Sequence, residues 1–122
     1  MEEKEKKSTP PREIVVKIGS NTYEISLPTT GQEVDIEIRK DRYTQGSYKN
    51  LLFGDDRGIK SYLAVGAIAT FEVLIPDMKK DLQVTSLFEL DMFQMKSILK
   101  AYSKYKEWIS QWESFIQDED EE

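Results

Sequence analysis

The stretch MKSILKAYSKYKEWISQWESFI, residues 95–116, decides the fold. Within it Met95, Ile98, Tyr102, Tyr105, Ile109, Trp112 and Ile116 recur at spacings of 3, 4, 3, 4, 3 and 4 residues. Side chains three and four apart stack on one side of a helix, so the stretch reads as an amphipathic helix with one long apolar face. Leu99, Trp108 and Phe115 widen the stripe on its flanks. Lys96, Lys100 and Lys104 recur beside it at four-residue spacing and read as the solvent face, where such side chains can also steer an acidic partner.

Upstream, two segments have the spacing of a capping box, in which a side chain caps the amide three residues on and is answered by an acid or amide there. Ser86-Leu87-Phe88-Glu89 is one, and Asp91 to Gln94 repeats the spacing. They predict a short turn over 86–90 and a helix from about 92 to 117. Further back, Ile59 to Ile75 is nearly all apolar around small Ala64, Gly66, Ala67 and Ala69. A helix apolar on every side is the buried centre of a fold. This run is shorter than the roughly 20 residues a bilayer span needs, and it contains Glu72. Pro76 stops it, and Asp77-Met78-Lys79-Lys80-Asp81 reads as a polar link.

The amino-terminal third changes period. Ile14, Val16 and Ile18 alternate with other residues, and after Gly19-Ser20-Asn21 a second alternation sets Tyr23, Ile25 and Leu27 on one side, which predicts a β-hairpin ended by Pro28. Residues 33–42 are ambiguous: Val34, Ile36 and Ile38 alternate as in a strand, whereas a Thr30 to Glu33 capping box and the Val34/Ile38 pair favour a helix. Tyr48, Leu51 and Leu52 suggest a short helix before the Gly54-Asp55-Asp56-Arg57-Gly58 turn. Residues 1–12, charged and then Ser-Thr-Pro-Pro, read as a flexible solvated tail, and the acids of 118–122 as a disordered one. The expected architecture is α+β: an N-terminal β-hairpin packed on a mainly helical domain, residues 13–117, with a long C-terminal amphipathic helix.

Composition narrows the chemistry. The chain of 122 residues is 39% apolar, enough for one core, and has neither Cys nor His. Thiolate chemistry, disulfides and the usual neutral-pH acid-base group are therefore missing. A net charge of -6 argues against a nucleic-acid backbone partner. Met1 to Lys7 is charged rather than apolar, so no secretory signal is read and a cytoplasmic location is expected.

Few residues offer a site. Asp55 and Asp56 between two glycines could hold a hard cation, but Asp and Gly are what a turn uses, and no metal or cofactor is expected. Asp35, Glu37 and Asp41 read as a solvated face. Arg39, Lys40 and Arg42 near Tyr43 and Tyr48 have the basic and aromatic mix of single-strand binders, yet the run is short. The C-terminal stripe remains. Met95 to Tyr102 is expected to pack on the 59–75 helix, while the distal Tyr105, Trp108, Ile109, Trp112, Phe115 and Ile116 are expected to meet another chain, because Trp and Tyr dominate contact hot spots.

The hairpin, then Pro28-Thr29-Thr30-Gly31-Gln32-Glu33-Val34-Asp35-Ile36-Glu37, then Gly46-Ser47-Tyr48, then Val73-Leu74-Ile75-Pro76-Asp77-Met78-Lys79-Lys80-Asp81 and the long last helix resemble small tail-assembly proteins of tailed bacteriophages over about residues 13–117. The resemblance implies a helix-rich, homo-oligomeric, non-enzymatic chaperone in the host cytoplasm. Such a chaperone coats the long helical tape-measure protein until tube subunits replace it, and the family has no catalytic residues to carry over. Two other functions fit the composition. One is a permanent virion component in a ring or at the head-tail junction. The other is an acidic inhibitor that imitates nucleic acid, for which the densest acids lie in the wrong place, at 118–122.

Overall fold

A computed structural model describes residues 8–120. Of the flexible and disordered tails expected at 1–12 and 118–122, residues 1–7 and 121–122 lie outside the described residues. Strand β1 (Glu13–Ile18) pairs antiparallel with β2 (Asn21–Ser26), Val16 opposite Tyr23 and Ile14 opposite Ile25. Gly19, at a φ of 64°, takes the first of the two loop positions, where a tight hairpin turn needs a positive φ. One face of the hairpin turns Val16, Ile18 and Ile25 inward, all three buried, while Val15 and Glu24 face solvent. Burying each of those three contributes about 1.5–3 kcal/mol. An isolated two-stranded hairpin is marginal, so this burial is what holds it.

Helix α1 (Thr30–Thr44) settles the ambiguity at 33–42 in favour of helix. Helical geometry puts Val34 and Ile38 together on the outer face and Ile36 alone on the inner, buried one, so the apparent alternation is an accident of two faces. The cap lies one residue earlier than expected. Thr29 is the N-cap: its hydroxyl accepts from the Gln32 amide at 3.1 Å, and Gln32 Oε1 accepts from the Thr29 amide at 2.9 Å. Glutamine closes the box as well as glutamate would, and Glu33 is left to face the positive helix end.

After a 3-10 turn at Tyr48–Phe53, Asp55 caps α2 (Asp56–Leu74), accepting from the amides of Arg57 and Gly58, each at 3.1 Å. The run Val65 to Phe71 is buried throughout, as its composition predicts. Pro76 ends the helix, but 77–81 is no polar link. A short α3 (Met78–Asp81) swings Met78 fully into the core, while Tyr23 donates to Asp81 Oδ2 at 2.8 Å. Lys79, Lys80 and Asp81 mask the one apolar residue that matters there.

A second 3-10 turn, Leu87–Glu89, is capped by Ser86, and the Asp91–Gln94 box makes both of its bonds, at 3.0 and 2.8 Å. Helix α4 then runs from Met92 to Asp120, 29 residues and roughly 44 Å. It ends beyond the expected 117, since each added residue of a long helix gains a hydrogen bond at little ordering cost. Ile98, Ala101 and Tyr102 are buried where the expected contact with α2 forms, Phe71 meeting the rings of Tyr102 and Tyr105 edge-on at 6.2 and 6.4 Å. One core cluster joins the hairpin, α2, α3 and α4.

Gly66 makes the α2/α4 approach possible. A Cβ there would lie 2.6 Å from the Tyr102 hydroxyl oxygen and 2.7 Å from that of Tyr48. Gly66→Ala is therefore expected to destabilise the fold by about 1–3 kcal/mol, although alanine favours helix, as measured by urea unfolding. A second expectation concerns alkaline pH. Burial and then the bond to Asp81 push the Tyr23 hydroxyl up to about 12, above its ordinary 10. A raised pKa stabilises the fold below the unfolded value, and that contribution is lost as pH rises from 10 through 12. Tyr23→Phe should flatten this part of the stability profile.

Candidate functional site

The distal half of α4 is largely built into the chain's own interior. Trp108 and Trp112 lie one turn apart, 3% and 6% exposed, and Tyr105 is buried beside them. Both indole N–H groups donate to the same acceptor, the Pro11 carbonyl, at 2.7 and 2.9 Å. The Arg12 guanidinium sits 5.6 Å from the Trp112 ring centre. Residues 8–12, expected to be a solvated tail, thus include a strap across the helix. The reason lies in indole chemistry: a buried Trp seeks an acceptor for its N–H, and Pro11, whose own nitrogen donates nothing, supplies a carbonyl. Ile109 and Phe115 are half-buried against the core, and only Ile116 is exposed. The six residues expected to bind a partner do form one face, but three of them are interior.

Between α1 and α2 lies a buried charge. The Glu72 side chain, 5% exposed, accepts from Arg39 at 3.2 Å and from the Tyr43 hydroxyl. Arg39 is also bound to Asp35 at 3.1 Å. Burial, then the bond to Glu72, raises the Tyr43 hydroxyl above its ordinary value. This trio satisfies itself, which makes it a clamp between two helices.

The basic and aromatic concentration at 39–48 is committed in the same way. Lys40 pairs with Glu37 at 3.0 Å and lies 5.1 Å from the Tyr48 ring, which stacks on Tyr62. Burial raises the hydroxyls of Tyr48, Tyr102 and Tyr105, so they stay protonated. Asp55 is used as a helix cap, and Asp56 opens the helix it caps. Among the described residues no group of three acids could hold a metal ion.

Exposed apolar side chains mark what remains. Met92 and Phe93, at the amino end of α4, are 87% and 83% exposed, and the half-exposed Phe88 precedes them. Phe88 is fixed by an edge-on contact with Tyr43 at 4.9 Å. A second group, Leu52, Phe53 and Ile59, lies around the start of α2. Large apolar groups that water surrounds are a standing cost, and a group of them marks a contact surface. The sequence held a signal for the first: Met92 continues the stripe one step upstream of Met95, past the point where anything covers it.

No family model matches the chain, and no curated protein or solved structure matches it either. No helix among the described residues is long and apolar enough to cross a membrane.

The indole bonds give a direct test of the strap. Trp108→Phe or Trp112→Phe keeps most of the ring and removes one donor to Pro11, and each is expected to cost about 0.5–1.5 kcal/mol in urea unfolding. Alanine at either position should cost about 3–5 kcal/mol. Stability unchanged by the alanine variants would show the face to be uncovered in solution.

Proposed function

We propose that this chain is a non-enzymatic binding protein of phage tail assembly, a chaperone for a long helical partner of the tape-measure kind. The observation that supports it most is the exposed group Phe88, Met92 and Phe93 at the amino end of the longest helix. It is rigidly presented by the Asp91–Gln94 capping box and by the Tyr43 contact, so its display costs little ordering on binding. An apolar face of a partner helix can settle on such a surface, and the surrounding charge keeps the unbound protein from aggregating. The contact surface in this reading is the proximal end of α4 rather than the distal face, whose tryptophans hold the chain together.

The test is co-expression with a long helical protein of the tape-measure kind. The expected outcome is a soluble complex, found in the host cytoplasm and missing from finished particles by mass spectrometry. Met92→Ser with Phe93→Ser should abolish the complex while leaving the melting temperature unchanged, because both side chains are already in water. If the chain remains in purified virions, it is a structural component instead. Failure to form any complex would sink the chaperone reading.

A further inference from the structure

Helix α1 shows more of its apolar surface to water than to the core. Of its three aliphatic side chains only Ile36 is buried, whereas Val34 and Ile38 are 52% and 50% exposed. The helix does not need those two for its own hold: the Thr29–Gln32 box fixes its start, and the cluster of Arg39, Tyr43 and Glu72 ties it to α2. Val34 and Ile38 instead line a shallow groove of about 500 Å3 together with Thr30, Glu33, Glu37 and Asp41. The three acids are exposed. Among the described residues Glu33 and Asp41 form no ion pair, and Glu37 is bound by Lys40 of the same helix. An apolar centre with an acidic border selects a helix whose apolar residues stand beside basic ones.

The chain itself carries such a helix. At the amino end of α4 the exposed Phe93 is followed by Lys96 and Lys100, both exposed and, among the described residues, in no ion pair. The spacings agree: Lys96 and Lys100 lie three and seven positions after Phe93, and Glu37 and Asp41 lie three and seven positions after Val34. On a helix a residue and those three and seven further on share a face. Two helices laid side by side in parallel, with Phe93 level with Val34, therefore bring Lys96 level with Glu37 and Lys100 level with Asp41. Lys104, next in the row, is already used by its own chain, where it bonds to the Val15 carbonyl.

We propose that the outward face of α1 receives the amino end of α4 from a second copy of this chain. Val34 and Ile38 meet Phe93 and its neighbour Met92, and Glu37 and Asp41 pair with Lys96 and Lys100. Each copy carries both halves of the joint, so the contact is head-to-tail. It covers apolar side chains that a single chain leaves in water, and the opposed charges set its register. A contact of two turns from each helix is small, so the association depends on concentration.

Met92 and Phe93 are also the side chains offered above to a helical partner. A consequence that rests on that reading is competition: the second copy guards the apolar end of α4, and the partner helix displaces it. The joint itself stands on the two matched faces and does not require that reading.

Sedimentation of the full chain at concentrations from micromolar upward tests the joint. The mean mass is expected to rise with concentration and to fall again in high salt. Glu37→Lys with Asp41→Lys, and separately Lys96→Glu with Lys100→Glu, should each weaken association by about tenfold or more. An equimolar mixture of these two variants should associate again, because the acids of one then face the lysines of the other. All four positions are exposed, so thermal melts should show both variants folded. Val34→Ser, which alters no charge, should weaken association as well. Three results would each overturn the proposal: a monomer at every concentration, an assembly that neither charge reversal weakens, or two variants that stay apart on mixing. None of these bears on capture of a helical partner, which the Glu37→Lys, Asp41→Lys variant should retain because its Met92 and Phe93 are unaltered.

Discussion

The apolar face of α4 is the wall on which the other elements are set. Its proximal half meets Phe71 of α2 through Tyr102 and Tyr105, and the same helix lies along β1. Among the described residues the hairpin has three fully inward side chains and no third strand, so without this support it would not persist. Helix α2, apolar on all sides, likewise needs cover from more than one direction. It finds α4 on one flank and α1 on another. A helix of 29 residues with an unbroken stripe can serve both because its face outlasts any one neighbour.

Polar contacts then fix where each neighbour stands on the wall. Ser97 and Lys104 hold the edge of β1, the two indoles hold Pro11, and Glu72 holds Arg39 and Tyr43. Each is worth little against the burial they accompany, since every one replaces a bond to water. Their value is positional. Apolar surfaces slide, whereas a carbonyl shared by two indole donors one turn apart has one register.

The functional reading follows from what this packing leaves over. Large aromatics that look like contact residues are used internally, and among the most exposed apolar residues Met92 and Phe93 stand where the wall extends past its neighbours. The amino end of α4 thus leaves large apolar side chains in water.

The sequence by itself determined the elements. The 3-4 stripe made α4, the all-apolar run made α2, the two alternations made the hairpin, and the Asp91–Gln94 box started the last helix where it was expected. These are local effects of periodicity and capping, which act between residues a few positions apart. Thr29 rather than Thr30 was missed as the cap because both threonines satisfy the local rule. Tertiary structure alone decided which faces are interior. Trp108 and Trp112 bond to a residue about a hundred positions away, and no local pattern announces a carbonyl that arrives from the other end of the chain. Met78 was hidden for a related reason: a single apolar residue among charges is buried only if the turn before it points inward. Which large side chains stay wet at Phe88, Met92 and Phe93 was equally a matter of where covering elements end. Periodicity states that a helix has an apolar face, and the remote chain that covers the face decides whether it is core or contact.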